Sequence, residues 1–206
     1  PLFLFGHSMG SFIARRYIQK YRNGLAGVIL SGTTGNPGLL GKVGKWLAKR
    51  EMKKLGKRTP SPLMDKLIFG SYNKGFEAAK NKFAWLSRDE EEVEKYIQDP
   101  YCGFVCTSGF FYDLLSGLEK IHDAKEIRNI QKDLPFFIFS GDRDPVGAYS
   151  IGVKKVIEQY KKHGINNITS VFYRDGRHEM LNEINRNIVF LDIWTWIDKQ
   201  LSAIKR

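Results

Sequence analysis

The chain has 206 residues, 42% of them hydrophobic, and a formal charge of +11. That length fits one domain, or one domain carrying an insertion, and the apolar content excludes a disordered chain. Two cysteines, Cys102 and Cys106, cannot make a disulfide framework and have no further metal ligands nearby, so they read as reduced thiols of a cytoplasmic protein, and no run reaches transmembrane length.

Residues 2–5 (LFLF) form a short apolar run and read as a buried strand. The strand meets Gly-His-Ser-Met-Gly at 6–10, and residues 11–21 follow with Phe12, Ile13, Tyr17 and Ile18 at helical spacing. Asn23-Gly24 ends that helix as a turn. A second strand covers 25–30 (LAGVIL), and residues 31–38 are a Gly-rich loop. Pro1 already lies inside the first strand, with no initiator Met before it, so the start reads as a truncation.

The pattern then changes to a Lys-rich helical block, broken by Pro60 and Pro62. Residues 39–82 hold twelve basic and three acidic residues, and this difference of +9 is most of the total charge. Ser87-Arg-Asp-Glu90 reads as a capping box opening a helix to about Gln98, which Asp99-Pro100 ends. Residues 103–118, rich in Phe and Leu, are expected to be helical. Cys102 and Cys106 would lie one turn apart if that stretch were helical throughout. Strand and helix alternate again afterwards. Strands are expected at 135–140 and 168–173. Helices are expected at 151–163, capped by Gly164, and at 187–201, with Ile188, Leu191, Trp194 and Ile197 at helical spacing. Alternation at both ends predicts an α/β fold, a parallel sheet covered on both faces, with a helical insertion over about 36–122.

Strand, Gly-His-Ser-Met-Gly, then helix is the signature of a nucleophile elbow, with Ser8 as nucleophile. Gly6 and Gly10 let the flanking backbones pass closely, and the Met9 N–H at the helix start would donate to a developing oxyanion. A hydroxyl nucleophile needs a base, and the sequence offers four histidines. His7 sits in the elbow and is expected to point away from the serine. His163 adjoins a helix C-terminus, and His122 has no strand nearby. His178 follows a strand through the loop 174–177 and is the best placed. The base in turn needs a carboxylate to hold its tautomer. Asp144, fixed by Pro145 after a strand, is preferred to Asp142, which suits an Asx-turn. The order Ser, Asp, His is that of the α/β-hydrolases.

On Gly-His-Ser-Met-Gly at 6–10, Gly-Asp-Arg-Asp-Pro-Val at 141–146 and Arg-His-Glu-Met-Leu-Asn-Glu at 177–183, the chain resembles α/β-hydrolases of the lysophospholipase, monoacylglycerol lipase and serine aminopeptidase-like group. The resemblance implies the α/β-hydrolase fold, with core at 1–35 and 123–206 and a helical cap, or lid, at 36–122. It also implies hydrolysis of an ester through an acyl-enzyme, with no cofactor and no metal. Such relatives carry strands ahead of the nucleophile strand and a His-Gly loop giving a second oxyanion donor. Pro1 leaves no place for either, and the nucleophile strand would be an unpaired edge.

The substrate expected is a small-molecule or lipid ester, a monoacylglycerol or lysophospholipid. The basic amphipathic cap either contacts a membrane surface or covers the pocket with its apolar face. No recognition motif for nucleic acid is present. Peptide hydrolysis would need a carboxylate for the substrate ammonium, which the Lys-rich cap is short of. A non-catalytic fragment or scaffold is the third reading. Asn182 and Glu183 after the base either support it from behind or start the last helix, and the helix start is preferred.

Overall fold

In the computed structural model, residues 1–21, 24–76 and 81–204 are described. Asn23 of the expected turn lies outside them, while Gly24 adopts the left-handed φ of +97° that a turn requires. Strands β1 (Leu2–His7), β2 (Leu25–Ser31), β3 (Phe136–Gly141) and β4 (Ile168–Tyr173) form one parallel sheet in the order β1-β2-β3-β4. Helix α1 (Met9–Lys20) joins β1 to β2. Helices α2 (Gly38–Leu55), α3 (Pro62–Phe69), α4 (Glu90–Gln98), α5 (Ser108–Ile121) and α6 (Ala124–Arg128) lie between β2 and β3. Helix α7 (Ile151–Lys162) joins β3 to β4, and α8 (Arg186–Ile204) closes the described chain. Among the described residues no helix is long and apolar enough to cross a membrane.

Strand period sorts the core. Val28, Leu30, Phe136 and Ile138 point to one face, where Ala14 and Ile18 of α1 and Val153, Val156 and Tyr160 of α7 bury them. Their neighbours Ile29, Phe137 and Phe139 point to the other face and pack on Val189 and Trp196 of α8. Both faces are apolar because helices cover both, as a parallel sheet demands. The helical block has its own core of Ala48, Met64, Phe111, Leu115, Leu118 and Ile121, drawn from α2, α3 and α5.

Several local expectations change. The α4 cap is Asp89, whose carboxylate accepts from the N–H groups of Glu91 and Glu92. Ser87 instead donates to the Asn182 carbonyl, 2.8 Å away, because that stretch is tied to another loop. The helix expected from 103 begins at Ser108, with Thr107 as cap. Gly103 has a φ of +65°, incompatible with a helix, so Cys102 and Cys106 are not stacked on one turn. On α8 the expected face is rotated: Ile188, Leu191 and Trp194 are exposed and Ile197 is half-buried, while Val189 and Trp196 are buried. The rotation is set by Gly27 of β2, where an added Cβ would come within 2.6 Å of the Trp196 ring. On α2, Leu39, Leu40, Val43 and Trp46 are exposed among lysines, so its apolar stripe is divided between solvent and the interior.

Candidate active site

Ser8 stands between β1 and α1 with φ 51° and ψ −123°, a conformation that costs a non-glycine residue on the order of 1–3 kcal/mol. The turn is this tight because Gly6 allows it: a Cβ there would sit 2.5 Å from the Gly10 carbonyl oxygen. Gly10 differs from expectation, since a Cβ there would meet nothing within 4 Å. Its backbone, rather than its lack of a side chain, fills the space beside Gly6. The Ser8 N–H donates to the Ser31 carbonyl at 2.9 Å, fastening the elbow to the end of β2. Met9 is the first residue of α1, so its N–H is one of the helix-start donors with no partner within the helix.

The structure brings three of the sequence-selected side chains together. Ser8 Oγ lies 2.9 Å from His178 Nε2, and His178 Nδ1 lies 3.0 Å from Asp144 Oδ2. Asp144 is fully buried and His178 is 2% exposed. Asp144 Oδ1 also accepts from the Val146 N–H at 2.9 Å, which orients the carboxylate. With the proton on Nδ1 shared with Asp144, Nε2 is free to accept from the Ser8 hydroxyl. Asp142 does something else: its Oδ1 accepts from the Asp175 N–H at 2.8 Å and ties two loops together.

The contacts among Ser8, His178 and Asp144 lie at the carboxyl ends of β1, β3 and β4. The sequence matches the family described as serine aminopeptidase, S33, over residues 1–185. The chain belongs to this S33 family of α/β-hydrolases. Among solved structures, a thermostable carboxyl esterase from Bacillus coagulans in complex with glycerol is 28% identical with a TM-score of 0.87. The match covers 97% of this chain and 64% of the esterase, so the chain spans a little under two-thirds of that relative. A monoacylglycerol lipase from Paleococcus ferrophilus (19% identity, TM-score 0.68, 96% and 68% covered) shares the fold. So does a soluble variant of the Saccharomyces cerevisiae monoglyceride lipase in complex with a substrate analogue (21%, 0.68, 97% and 62%). No curated protein matches the sequence.

Around these three side chains the structure adds contacts that the sequence did not reveal. His178 is held between two rings, Trp85 at 5.2 Å and His7 at 4.9 Å between centroids. His7 therefore faces the site, contrary to expectation, because its Nδ1 meets Ser31 Oγ at 3.1 Å and turns the ring inward. Gly32, at φ +56°, leaves room for the base: a Cβ there would lie 2.9 Å from the His178 ring. The His178 loop is zipped to residues 84–89 of the helical block. His178 N–H donates to the Trp85 carbonyl and Glu179 N–H to the Leu86 carbonyl. Arg177 donates to the carbonyls of Ala84 and Ser87.

At the centre of this zipper is Glu183, expected to begin a helix and instead fully buried. Its carboxylate accepts from the N–H groups of Arg177, Arg88 and Ile184 and from Arg88 Nε at 2.9 Å. Four donors there replace the water that burial removes from the carboxylate. Asn182 lies in the single 3-10 turn Met180–Asn182, where its amide donates to Glu179.

A second buried group braces the loop after β2. Arg15, fully buried, donates to Thr33 Oγ1 and to the Thr34 carbonyl at 2.9 Å. Its Nη2 lies 3.3 Å from His122 Nε2, while His122 Nδ1 faces Gln159 Oε1 at 3.2 Å. The His122 pKa is lowered to about 4, first by burial and then by Arg15. The His7 pKa is lowered to about 4, first by burial and then by His178.

Folding thus keeps both rings neutral, whereas in the unfolded chain they take up a proton near pH 6.5. The unfolded state binds more protons between these values. Stability is therefore intact above about pH 6.5 and falls toward pH 4, by about 1.4 kcal/mol per pH unit for each ring. Urea midpoints should drop across that window, and His122→Gln should flatten the slope by about half. A midpoint constant from pH 7 to about 4.5 would exclude neutral buried rings.

Two chambers meet at Ser8. One, about 510 Å³, is bordered by Met9, Phe12, Leu47, Met64, Leu114 and Val146 among others, and among the described residues no Asp or Glu lines it. The other, about 450 Å³, contains His7 and His178 together with Asp65, Lys82, Glu179 and several aromatic rings.

Proposed function

We propose that the protein is a serine hydrolase of carboxylic esters, in which Ser8 is the nucleophile, His178 the general base and acid, and Asp144 its orienting carboxylate. The observation that carries this reading is the continuous chain of contacts, 2.9 Å from Ser8 to His178 and 3.0 Å from His178 to Asp144. As Ser8 Oγ bonds to the ester carbonyl carbon, its proton passes to His178 Nε2, and Asp144 stabilises the imidazolium. The carbonyl oxygen takes negative charge beside the Met9 N–H at the positive end of α1. Collapse breaks the bond to the alcohol, which leaves with the proton from His178. Water, deprotonated by the same ring, then releases the acid from Ser8.

Because His178 must protonate the departing alcohol, the leaving group belongs in the chamber that His178 lines. The acyl group then occupies the apolar chamber on the Met9 side. Residues 36–122 act as the cap, since α2, α3 and α5 wall that chamber. A long acyl chain, as in a monoacylglycerol or lysophospholipid, suits this lining. Peptide hydrolysis from a free N-terminus is disfavoured, because an α-ammonium would fall on the acyl side, where no carboxylate of the described residues is in the lining. The carboxyl esterase and monoacylglycerol lipases among the structural neighbours point the same way.

The test is labelling by a fluorophosphonate probe. The protein is expected to label at Ser8, Ser8→Ala to lose the label, and both to melt at similar temperatures. A folded protein that does not label at Ser8 would overturn the proposal.

A further inference from the structure

The leaving-group chamber has a chemistry that plain ester hydrolysis does not require. Phe83, Trp85, Tyr96, Tyr101 and Phe104 border it, with the carboxylates of Asp65 and Glu179. Aromatic faces backed by carboxylates are what an ammonium group seeks, since ring quadrupole and anion both favour a cation. The chamber already holds one cation of the protein's own: Lys82 Nζ lies 4.8 Å over the Phe83 ring, and its charge acts on Asp65. Lys82 is exposed, so an arriving cation can displace it toward solvent at small cost.

Asp65 is also unusual among the acids of the basic block. Residues 39–82 contain three acids, Glu51, Asp65 and Glu77. Glu51 accepts from the Ser61 hydroxyl at 3.0 Å and so holds the start of α3. Among the described residues, no hydrogen bond or ion pair within 4 Å engages the Asp65 carboxylate, although burial disfavours its charge. A half-buried carboxylate without a structural partner, facing the nucleophile's own cavity, is placed to meet a ligand.

We infer that the alcohol released from the ester carries an ammonium group, held by the aromatic rings and by Asp65 and Glu179 of the His178-side chamber. The inference rests on the ester-hydrolase reading and on the assignment of this chamber to the leaving group. The shared chemistry is the ammonium-bearing alcohol, which can belong to a simple amino-alcohol ester or to a lipid headgroup.

The experiment compares butyrylcholine with its uncharged isostere, 3,3-dimethylbutyl butyrate, and lysophosphatidylcholine with a monoacylglycerol of the same acyl chain. The wild type is expected to favour the cationic member of at least one pair by about tenfold or more in kcat/KM. The pair that shows the preference identifies the source of the cation. Asp65→Asn is expected to reduce that preference by about tenfold, mainly through KM, and Asp65→Glu to restore part of it. Turnover of nitrophenyl butyrate by the wild type reports separately on the ester-hydrolase reading. If that ester is cleaved while the neutral substrates match or exceed the cationic ones in both pairs, the ammonium site is overturned and the hydrolase reading stands. A preference unchanged in Asp65→Asn also overturns the role given to Asp65.

Discussion

Asp144→Asn is expected to lower kcat on ester substrates by about 10⁴-fold with little change in KM. The carboxylate has no contact with substrate; its task is to accept from His178 Nδ1, 3.0 Å away, so that Nε2 is the nitrogen facing Ser8. An asparagine at this position offers its NH₂ to the ring, or turns its oxygen there and sets its NH₂ against the Val146 N–H that Oδ1 now accepts. Either way the tautomer that leaves Nε2 as acceptor loses support, and the imidazolium of the transition state loses a buried counter-charge. Asp142→Asn is the internal control. Its oxygen meets only the Asp175 N–H, so the loss should be about tenfold or less, the cost of one weakened hydrogen bond. Measured kcat on a nitrophenyl ester decides the matter: equal losses for the two variants would mean that Asp144 is not the orienting carboxylate.

Glu183→Ala should be the most destabilising change outside the sheet core, costing about 3–5 kcal/mol and lowering the melting temperature by roughly 10 °C. The variant leaves Arg88 Nε and the N–H groups of Arg177, Arg88 and Ile184 without the acceptor that the fully buried Glu183 provides. Arg88→Ala should cost less. The Arg88 side chain is 23% exposed, so water can take its place, and three backbone N–H groups still compensate Glu183. The damage should also be felt in catalysis, because the zipper that Glu183 anchors carries His178. Glu183→Gln, which keeps an oxygen for the Arg177 N–H, should retain more kcat than Glu183→Ala at a temperature where both are folded. Thermal melts and kcat measured on the three variants test this order. A Glu183→Ala protein as stable as the wild type would remove the network from any structural role.

The chemistry was legible because it is written in local signals. Gly-His-Ser-Met-Gly after an apolar run fixes an elbow whatever surrounds it, since backbone crowding at Gly6 is a matter of a few residues. Asp144 and His178 were legible because each follows a strand by a short loop, which delivers it to the same edge of a parallel sheet. The supporting residues were not legible in this way. Glu183 lies in a polar stretch that looks like a helix start, and nothing in its neighbourhood reveals that Arg88, ninety-five positions earlier, will be beside it. His7 seemed to point outward because its direction depends on Ser31, which is adjacent only once β1 and β2 pair. Trp85 and Gly32 likewise gain meaning only when the helical block and the end of β2 converge on His178.

The α8 face shows the same division from the side of packing. Its apolar residues are spread around the helix, so spacing alone offered the stripe of Ile188, Leu191 and Trp194. The sheet chose Val189 and Trp196, because Gly27 leaves a gap that the Trp196 ring fills beside Phe3. By itself, then, the sequence determined the parallel α/β architecture, the helical block between β2 and β3, and the choice of Ser8, Asp144 and His178 as the candidate residues. Each of these follows from periodicity, turn chemistry or a motif a few residues long. Tertiary structure alone decided which carboxylates are structural and which face the cavity, which rings enclose His178, and what lines each side of Ser8. Those properties depend on burial and on distances between residues far apart in the chain, and a side chain's charge cost and its partners are set by what folds against it.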